Sequence, residues 1–252
     1  MDGGGQPFVG ELAVGQRVAG PDDGHHLVGA DRLGRDLGPG RVGGADLHVG
    51  VAASQVGDVD RRLRQQPDLD AGGGGDRRRQ QRGERLPEWA VTVTLLRDGG
   101  PVLTVVRQPA GDLTYTAARG AGAYLNGRPL RASAKTDLDA AIAATGQAEA
   151  DQRDTYRRIG ESITALLGRA LLVRTSVPST FPMLLVAAGH ADLFWQYEPV
   201  LPGVAAGALL ITEAGGTVSR IDGSAWGPGS PDILAAAPGL HQAAADALTA
   251  VG

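Results

Sequence analysis

From Met1 to Glu88 the chain has no isoleucine, threonine, asparagine, lysine, tyrosine or tryptophan, yet it holds 20 of the protein's 39 glycines. From Trp89 onward all of these residue types return, along with nine of the ten aromatics. A core needs branched and aromatic side chains to fill volume and to favour strands, and the first third is nearly bare of them. Segments such as Gly34-Arg35-Asp36-Leu37-Gly38-Pro39-Gly40 and Gly72-Gly73-Gly74-Gly75 interrupt the chain too often for long periodic elements. Three readings of residues 1–88 follow. They are a flexible Gly/Arg/Asp-rich extension, an ordered domain of unfamiliar type, or the wrong-frame translation of a GC-rich gene whose true frame resumes just before Leu86-Pro87-Glu88-Trp89. The sequence therefore divides into residues 1–88, a first-sheet segment 89–134 and an α/β segment 135–252.

Composition narrows the function classes. A net charge of −4 and a pI near 5.7 give no basic footprint for nucleic acid or anionic lipid. No apolar run is long enough to span a membrane, and the first thirty residues lack a signal-like apolar core. The chain has no cysteine, which excludes disulfides, thiolate catalysis and sulfur-ligated metals. The expectation is a cytoplasmic protein with no nucleic-acid or membrane partner, whose metal chemistry, if any, uses oxygen or imidazole ligands.

The remaining two thirds carry legible periodicities. Residues 90–96, 102–106 and 113–118 read as strands separated by Asp98-Gly99-Gly100-Pro101 and other turn signals, and Asn126-Gly127 reads as a tight hairpin turn. Together they predict an antiparallel meander forming a half-buried sheet. Apolar Tyr156, Ile159, Ile163, Leu166 and Leu167 follow the helical period between Asp151 and Gly168, with Gly168 as the C-cap. Ser179 is placed to N-cap a helix through Ala188, with Pro182 in its first turn. A small-residue helix over 204–214 ends at Gly215-Gly216, strands are expected at 171–173, 192–195, 217–221 and 233–236, and a last helix near 241–251. The class is α/β or layered α+β.

The stretch Gly120-x-Gly122-Ala123-x-x-Asn126-Gly127, preceded by Asp98-Gly99 and Pro109, carries a resemblance. Thr145-Gly146, Arg174, Val186-Ala187-x-Gly189-x-x-Asp192 and Ala205-Ala206-Gly207-x-Leu209-Leu210-x-x-Glu213-Ala214-Gly215-Gly216 follow in order. In these motifs residues 89–252 resemble the inositol monophosphatase family of magnesium-dependent phosphomonoesterases. The resemblance implies a layered α–β–α–β–α sandwich, often a homodimer, acting on a small phosphorylated metabolite such as an inositol or sugar phosphate. It also implies Mg²⁺ as cofactor, held by carboxylates, with a metal-activated water attacking phosphorus.

Carried over position by position, the resemblance implies a site without its metal ligands. Where the family has Asp-Pro-x-Asp-Gly-Thr, this chain has Gly74-Gly75-Asp76-Arg77-Arg78-Arg79, and Glu11 is the single glutamate of residues 1–73. The Trp-Asp that precedes Ala-Ala-Gly in the family reads Pro202-Gly203 here, and arginine and glycine offer no ligand for a hard cation. The Gly-Ser-Ala of the substrate pocket aligns with Val177-Pro178-Ser179, and the acidic residue that reads substrate hydroxyls aligns with Gln196, with Glu198 close by. The candidate substrate-binding residues are thus Ser179, Gln196 and Glu198, no catalytic residue is assigned, and Mg²⁺ binding by this chain is doubtful. A catalytic remnant, a non-catalytic pseudophosphatase serving ligand binding or dimerisation, and a truncated product remain as alternatives.

Plain roles suffice for several other residues. Asp192 reads as a turn or cap at a strand start, Glu213 as a helix-end residue, and His190 and His241 as helix-terminal. His25-His26 and His48 lack the i,i+4 spacing of a metal pair, and Arg77-Arg78-Arg79 reads as a solvated run.

Overall fold

The structure, a computed structural model, describes residues 40–42, 45–53, 89–148 and 152–251. The first sheet has seven strands in sequential order, every neighbour antiparallel: β1 (Gly40–Val42), β2 (Ala45–Ala53), β3 (Trp89–Arg97), β4 (Gly100–Gln108), β5 (Leu113–Ala118), β6 (Ala123–Leu125) and β7 (Arg128–Pro129). The expected meander is present. Its turns work because Asp98 and Gly99, and again Asn126 and Gly127, take positive φ (52° and 74°, 47° and 77°), the twist that a two-residue hairpin requires.

Two strands lie where no periodic element was expected. β1 and β2 fall within residues 1–88, and β2 pairs with β3 from Asp46↔Leu96 to Ala53↔Trp89. The valine-rich run Leu47-His48-Val49-Gly50-Val51 carries a strand alternation that the surrounding glycines obscure. The rest of residues 1–88, with His25-His26 and Arg77-Arg78-Arg79, lies outside the described residues.

The second sheet is mixed, in the order β11 (Thr217–Ser219), β12 (Asp232–Ala236), β10 (Leu193–Tyr197), β8 (Ile142–Thr145), β9 (Leu172–Thr175). β10–β8–β9 are parallel, whereas β11–β12 and β12–β10 are antiparallel. β8 carries no strand signal in the sequence, since Ala-Ala-Ile-Ala-Ala-Thr reads as readily as helix. Tertiary pairing decides it, because the segment lies between β10 and β9 with Ala143 and Ala144 buried.

Four helices complete the layers: α1 (Arg153–Leu167), α2 (Thr180–Ala187), α3 (Leu201–Glu213) and α4 (His241–Thr249). One core cluster joins the first sheet (Ala90, Val106, Tyr115) to α2 and α3 and to one face of the second sheet (Ala144, Phe194, Ile233, Ala235). The other cluster lies on the opposite face, where Leu193, Trp195, Tyr197 and Leu234 meet Ile159 and Leu166 of α1 and Ala244 and Leu248 of α4. Successive residues of β10 thus point to different cores, the period-two rule at work. The described layers are sheet, helices, sheet, helices. The outer helical layer that would complete α–β–α–β–α falls outside the described residues.

The helix-period reading of α1 needs correction. Tyr156 and Leu167 are 40% and 61% exposed, while the buried stripe is Thr155, Ile159, Ser162 and Leu166. Two polar members belong to that stripe because each has a partner: Trp195 Nε1–H donates to Ser162 Oγ at 2.9 Å, and Thr155 Oγ1–H donates to Glu198 Oε2 at 3.0 Å. Between α2 and α3 a Cβ at Gly207 would fall 2.5 Å from Met183 Cβ, so the helices approach at a distance only glycine permits.

Candidate functional site

The C-terminal end of β8, the start of α2 and the end of β10 meet at one place. Gly146, buried, follows β8. A Cβ on it would lie 2.7 Å from Gln196 Oε1 and 2.8 Å from Ser179 Oγ, so the absence of a side chain there lets both groups sit against the backbone. Ser179 Oγ–H donates to Gln196 Oε1 at 2.5 Å. The next residue, Thr180, donates to the Gly203 carbonyl at 2.9 Å, tying α2 to the first turn of α3. Parallel strands ending beside helix starts are a recurrent location for ligand sites in α/β folds.

Ser179 does not cap α2. Its backbone is already helical (φ −56°, ψ −25°), and its side chain makes no capping bond, being directed to Gln196 instead. Of the three candidate residues, Ser179 and Gln196 are therefore in contact. Glu198 is exposed, in a left-handed backbone conformation (φ 48°), with its carboxylate on Thr155 of α1.

The donor chemistry at this place does not fit Mg²⁺. Gly203 brings no side chain, Gln196 is neutral and Glu198 is engaged by Thr155. Among the described residues there is no group of three acidic or histidine side chains able to hold a metal ion.

Two other carboxylates have firm structural tasks. Glu213, at the end of α3, accepts the N–H groups of Gly120 at 2.8 Å and Gly122 at 2.9 Å, pinning the Gly-x-Gly turn of the first sheet to the helix layer. Both glycines have positive φ, 75° and 86°, so this turn presents its N–H groups to one acceptor. The sequence reading of Glu213 as a helix-end residue missed this clamp, which is a contact across about ninety residues of chain.

Asp192 is not a surface cap but a buried ion-pair member, 1% exposed, 2.9 Å from Lys135 Nζ and accepting the Ile142 N–H at 2.7 Å. Burial pushes its pKa up, but the Ile142 N–H and the Lys135 ammonium outweigh that and hold it below the ordinary carboxylate range. His241 opens α4, and its Nε2 lies 2.7 Å from Ser219 Oγ; burial lowers its pKa. His190 and Arg174 line a cleft of about 390 Å³ beside β9, together with Ser176, Phe181, Pro182 and Leu185. That cleft flanks α2 and does not include Ser179, Gln196 or Glu198.

Among the described residues no helix is long and apolar enough to cross a membrane. The sequence model of the inositol monophosphatase family matches residues 82–251. The Nus factor SuhB of Pseudomonas aeruginosa is 36% identical over 143 residues, which are 55% of this chain and 52% of that protein. An inositol-1-monophosphatase of Rhizobium meliloti is 36% identical over 138 residues, with the same shares. The chain thus spans about half the length of the curated relatives it matches. Among solved structures, inositol monophosphatase from Anabaena superposes with a TM-score of 0.63 at 30% identity, covering 66% of each chain. A Thermotoga maritima homologue, 23% identical, shares the fold with a TM-score of 0.61 over 77% of this chain and 79% of its own. The motifs, the two sheets with helices between them and the match over residues 82–251 agree, and the chain belongs to the inositol monophosphatase family.

Proposed function

We propose that this chain binds a small phosphate monoester, of the inositol or sugar phosphate class, where Gly146, Ser179 and Gln196 meet, and hydrolyses it slowly or not at all. The observation that carries this is the pairing of an altered but convergent substrate side with a missing metal side. Ser179 and Gln196 converge on Gly146, while Gly203 stands beside them where the family pattern has an aspartate. Among the described residues no clustered carboxylates concentrate a hard divalent cation, so none would supply a metal-activated water. No step through Mg²⁺ is derived for this chain. A cytoplasmic location is part of the same proposal.

The test is an assay of the full chain with inositol-1-phosphate and millimolar Mg²⁺, alongside calorimetry with Mg²⁺ alone. Background-level turnover and no measurable Mg²⁺ heat are expected; robust turnover abolished by EDTA overturns the proposal. Gly203 lies in the first turn of α3 where a Cβ would meet nothing within 4 Å, so Gly203→Asp is tolerated, and as a single carboxylate it is expected to leave the Mg²⁺ heat at background. The pseudophosphatase reading, in which the fold serves association of two copies, is favoured if purified chain is a stable dimer that no phosphate monoester perturbs.

A further inference from the structure

Gln196 is 5% exposed, and one half of its amide is already committed. Its Oε1 accepts the Ser179 hydroxyl at 2.5 Å. The same oxygen lies 2.7 Å from where a Cβ on Gly146 would sit, with Ser179 Oγ at 2.8 Å, so it is packed against the hydrogens of the Gly146 Cα. A carbonyl oxygen tolerates that approach as a weak C–H···O contact, whereas an amide NH₂ would press hydrogen against hydrogen. Two neighbours thus fix the amide in one orientation.

The Nε2 group is what remains. It donates to no other described residue, although Gln196 is almost wholly enclosed. Among the described residues the buried polar atoms left without any partner are Arg220 Nε and Trp226 Nε1, so Nε2 is not sealed and keeps some access to solvent. A buried amide holding two free N–H donors with such access is a ready hydrogen-bond donor with no competing acceptor of its own.

We infer that Gln196 is a specificity-determining donor which selects ligands presenting an acceptor oxygen, such as a ketone, where a carboxylate would select a hydroxyl. A hydroxyl can accept from Nε2, but its own O–H then finds no free acceptor on Gln196, since Oε1 is held by Ser179 and crowded by Gly146. A ketone accepts and leaves nothing unpaired. This rests on the proposed phosphate-monoester pocket and narrows its ligand class to oxo-bearing phosphate monoesters.

The matched probes are hydroxyacetone phosphate and propane-1,2-diol 1-phosphate, which differ in one ketone against one hydroxyl and carry the same charge. Calorimetry on the full chain is expected to show the ketone bound about fivefold more tightly, within what one neutral hydrogen bond supplies. Gln196→Glu, which replaces the donor by an acceptor, is expected to reverse the preference. Ser179→Ala, which frees the amide to turn, is expected to abolish it while both probes still bind. A second readout needs no phosphate: the side-chain NH₂ resonances of Gln196 in ¹⁵N spectra, followed with hydroxyacetone and with propane-1,2-diol. If neither phosphate binds but hydroxyacetone alone shifts those resonances, the donor role stands and the phosphate reading falls. Equal affinities, or a hydroxyl preference in the unaltered chain, overturn the inference. So do unmoved NH₂ resonances with both phosphate-free probes.

Discussion

Both sheets of this protein are rich in apolar residues, yet their described strands are buried to different degrees. Every residue of β10 and of β12 is buried, because α2 and α3 cover one face of the second sheet and α1 and α4 the other. In the first sheet Ala90, Thr92, Thr94 and Leu96 of β3 are buried toward the helices, while Val91, Val93 and Leu95 on the other face are half-buried and Leu103 of β4 is 44% exposed. The buried face is also the more polar, with Thr94 and Thr104 hydroxyls joined at 2.9 Å. Side-chain type alone would have assigned the faces the other way round. What sets them is where the helices lie, and threonine is admitted to the interior because it arrives with a cross-strand partner.

The sharpest way to break this comparison is to truncate one side chain in each sheet. Trp195→Ala removes a fully buried ring whose Nε1–H serves Ser162, and is expected to cost about 4 kcal/mol by urea unfolding. Val93→Ala on the open face of β3 is expected to cost about 1 kcal/mol, since that side chain is only partly buried. Equal losses would show that the two sheets are equally supported.

Gly207→Val should come next, at about 2–3 kcal/mol, because its side chain would collide with Met183 where α2 and α3 bridge the sheets. Glu213→Gln then weakens the strap between α3 and the Gly120–Gly122 turn. About 1–2 kcal/mol is expected, with faster amide exchange at Gly120 and Gly122 and little change in the second sheet.

The pH responses are smaller. Asp192 is held low in the fold, so its stabilisation is complete above the ordinary carboxylate range near pH ~3.9 and is lost as pH falls through its folded value. Lys135→Met removes one of the groups holding it low, and the acid-unfolding midpoint is expected to move to higher pH. The cost near neutrality should be about 1 kcal/mol, because Lys135 is 40% exposed. His241 acts in the same direction, in a higher pH window. Its folded pKa is depressed by burial, so stability should decline as pH drops below about 6.5, and His241→Gln should flatten that decline in thermal melts.

Much of the first sheet was legible because hairpins are local. Asp98-Gly99 and Asn126-Gly127 encode their turns in residues that accept positive φ, and the alternating runs beside them encode the strands. β8 was illegible for the opposite reason, since alanines carry no period and its pairings reach to β9 and β10, some thirty and fifty residues away. The candidate site divides in the same way. Ser179 and Gln196 could be placed by resemblance, but their contact over Gly146 depends on three separate elements arriving together. Ser162 and Thr155 could not be recognised as buried, because a polar residue on an apolar stripe is readable only once its partner is known.

The sequence by itself determined the turns, the alternating strands of the meander and the family pattern, all of which depend on neighbours in the chain or on the chemical identity of a side chain. Tertiary structure decided which face of each sheet is dry, that Asp192 and Glu213 act across long stretches of chain, and which way the Gln196 amide is turned. Those outcomes are fixed by distances between atoms remote in sequence, and hydrogen bonds and burial depend on such distances rather than on local composition.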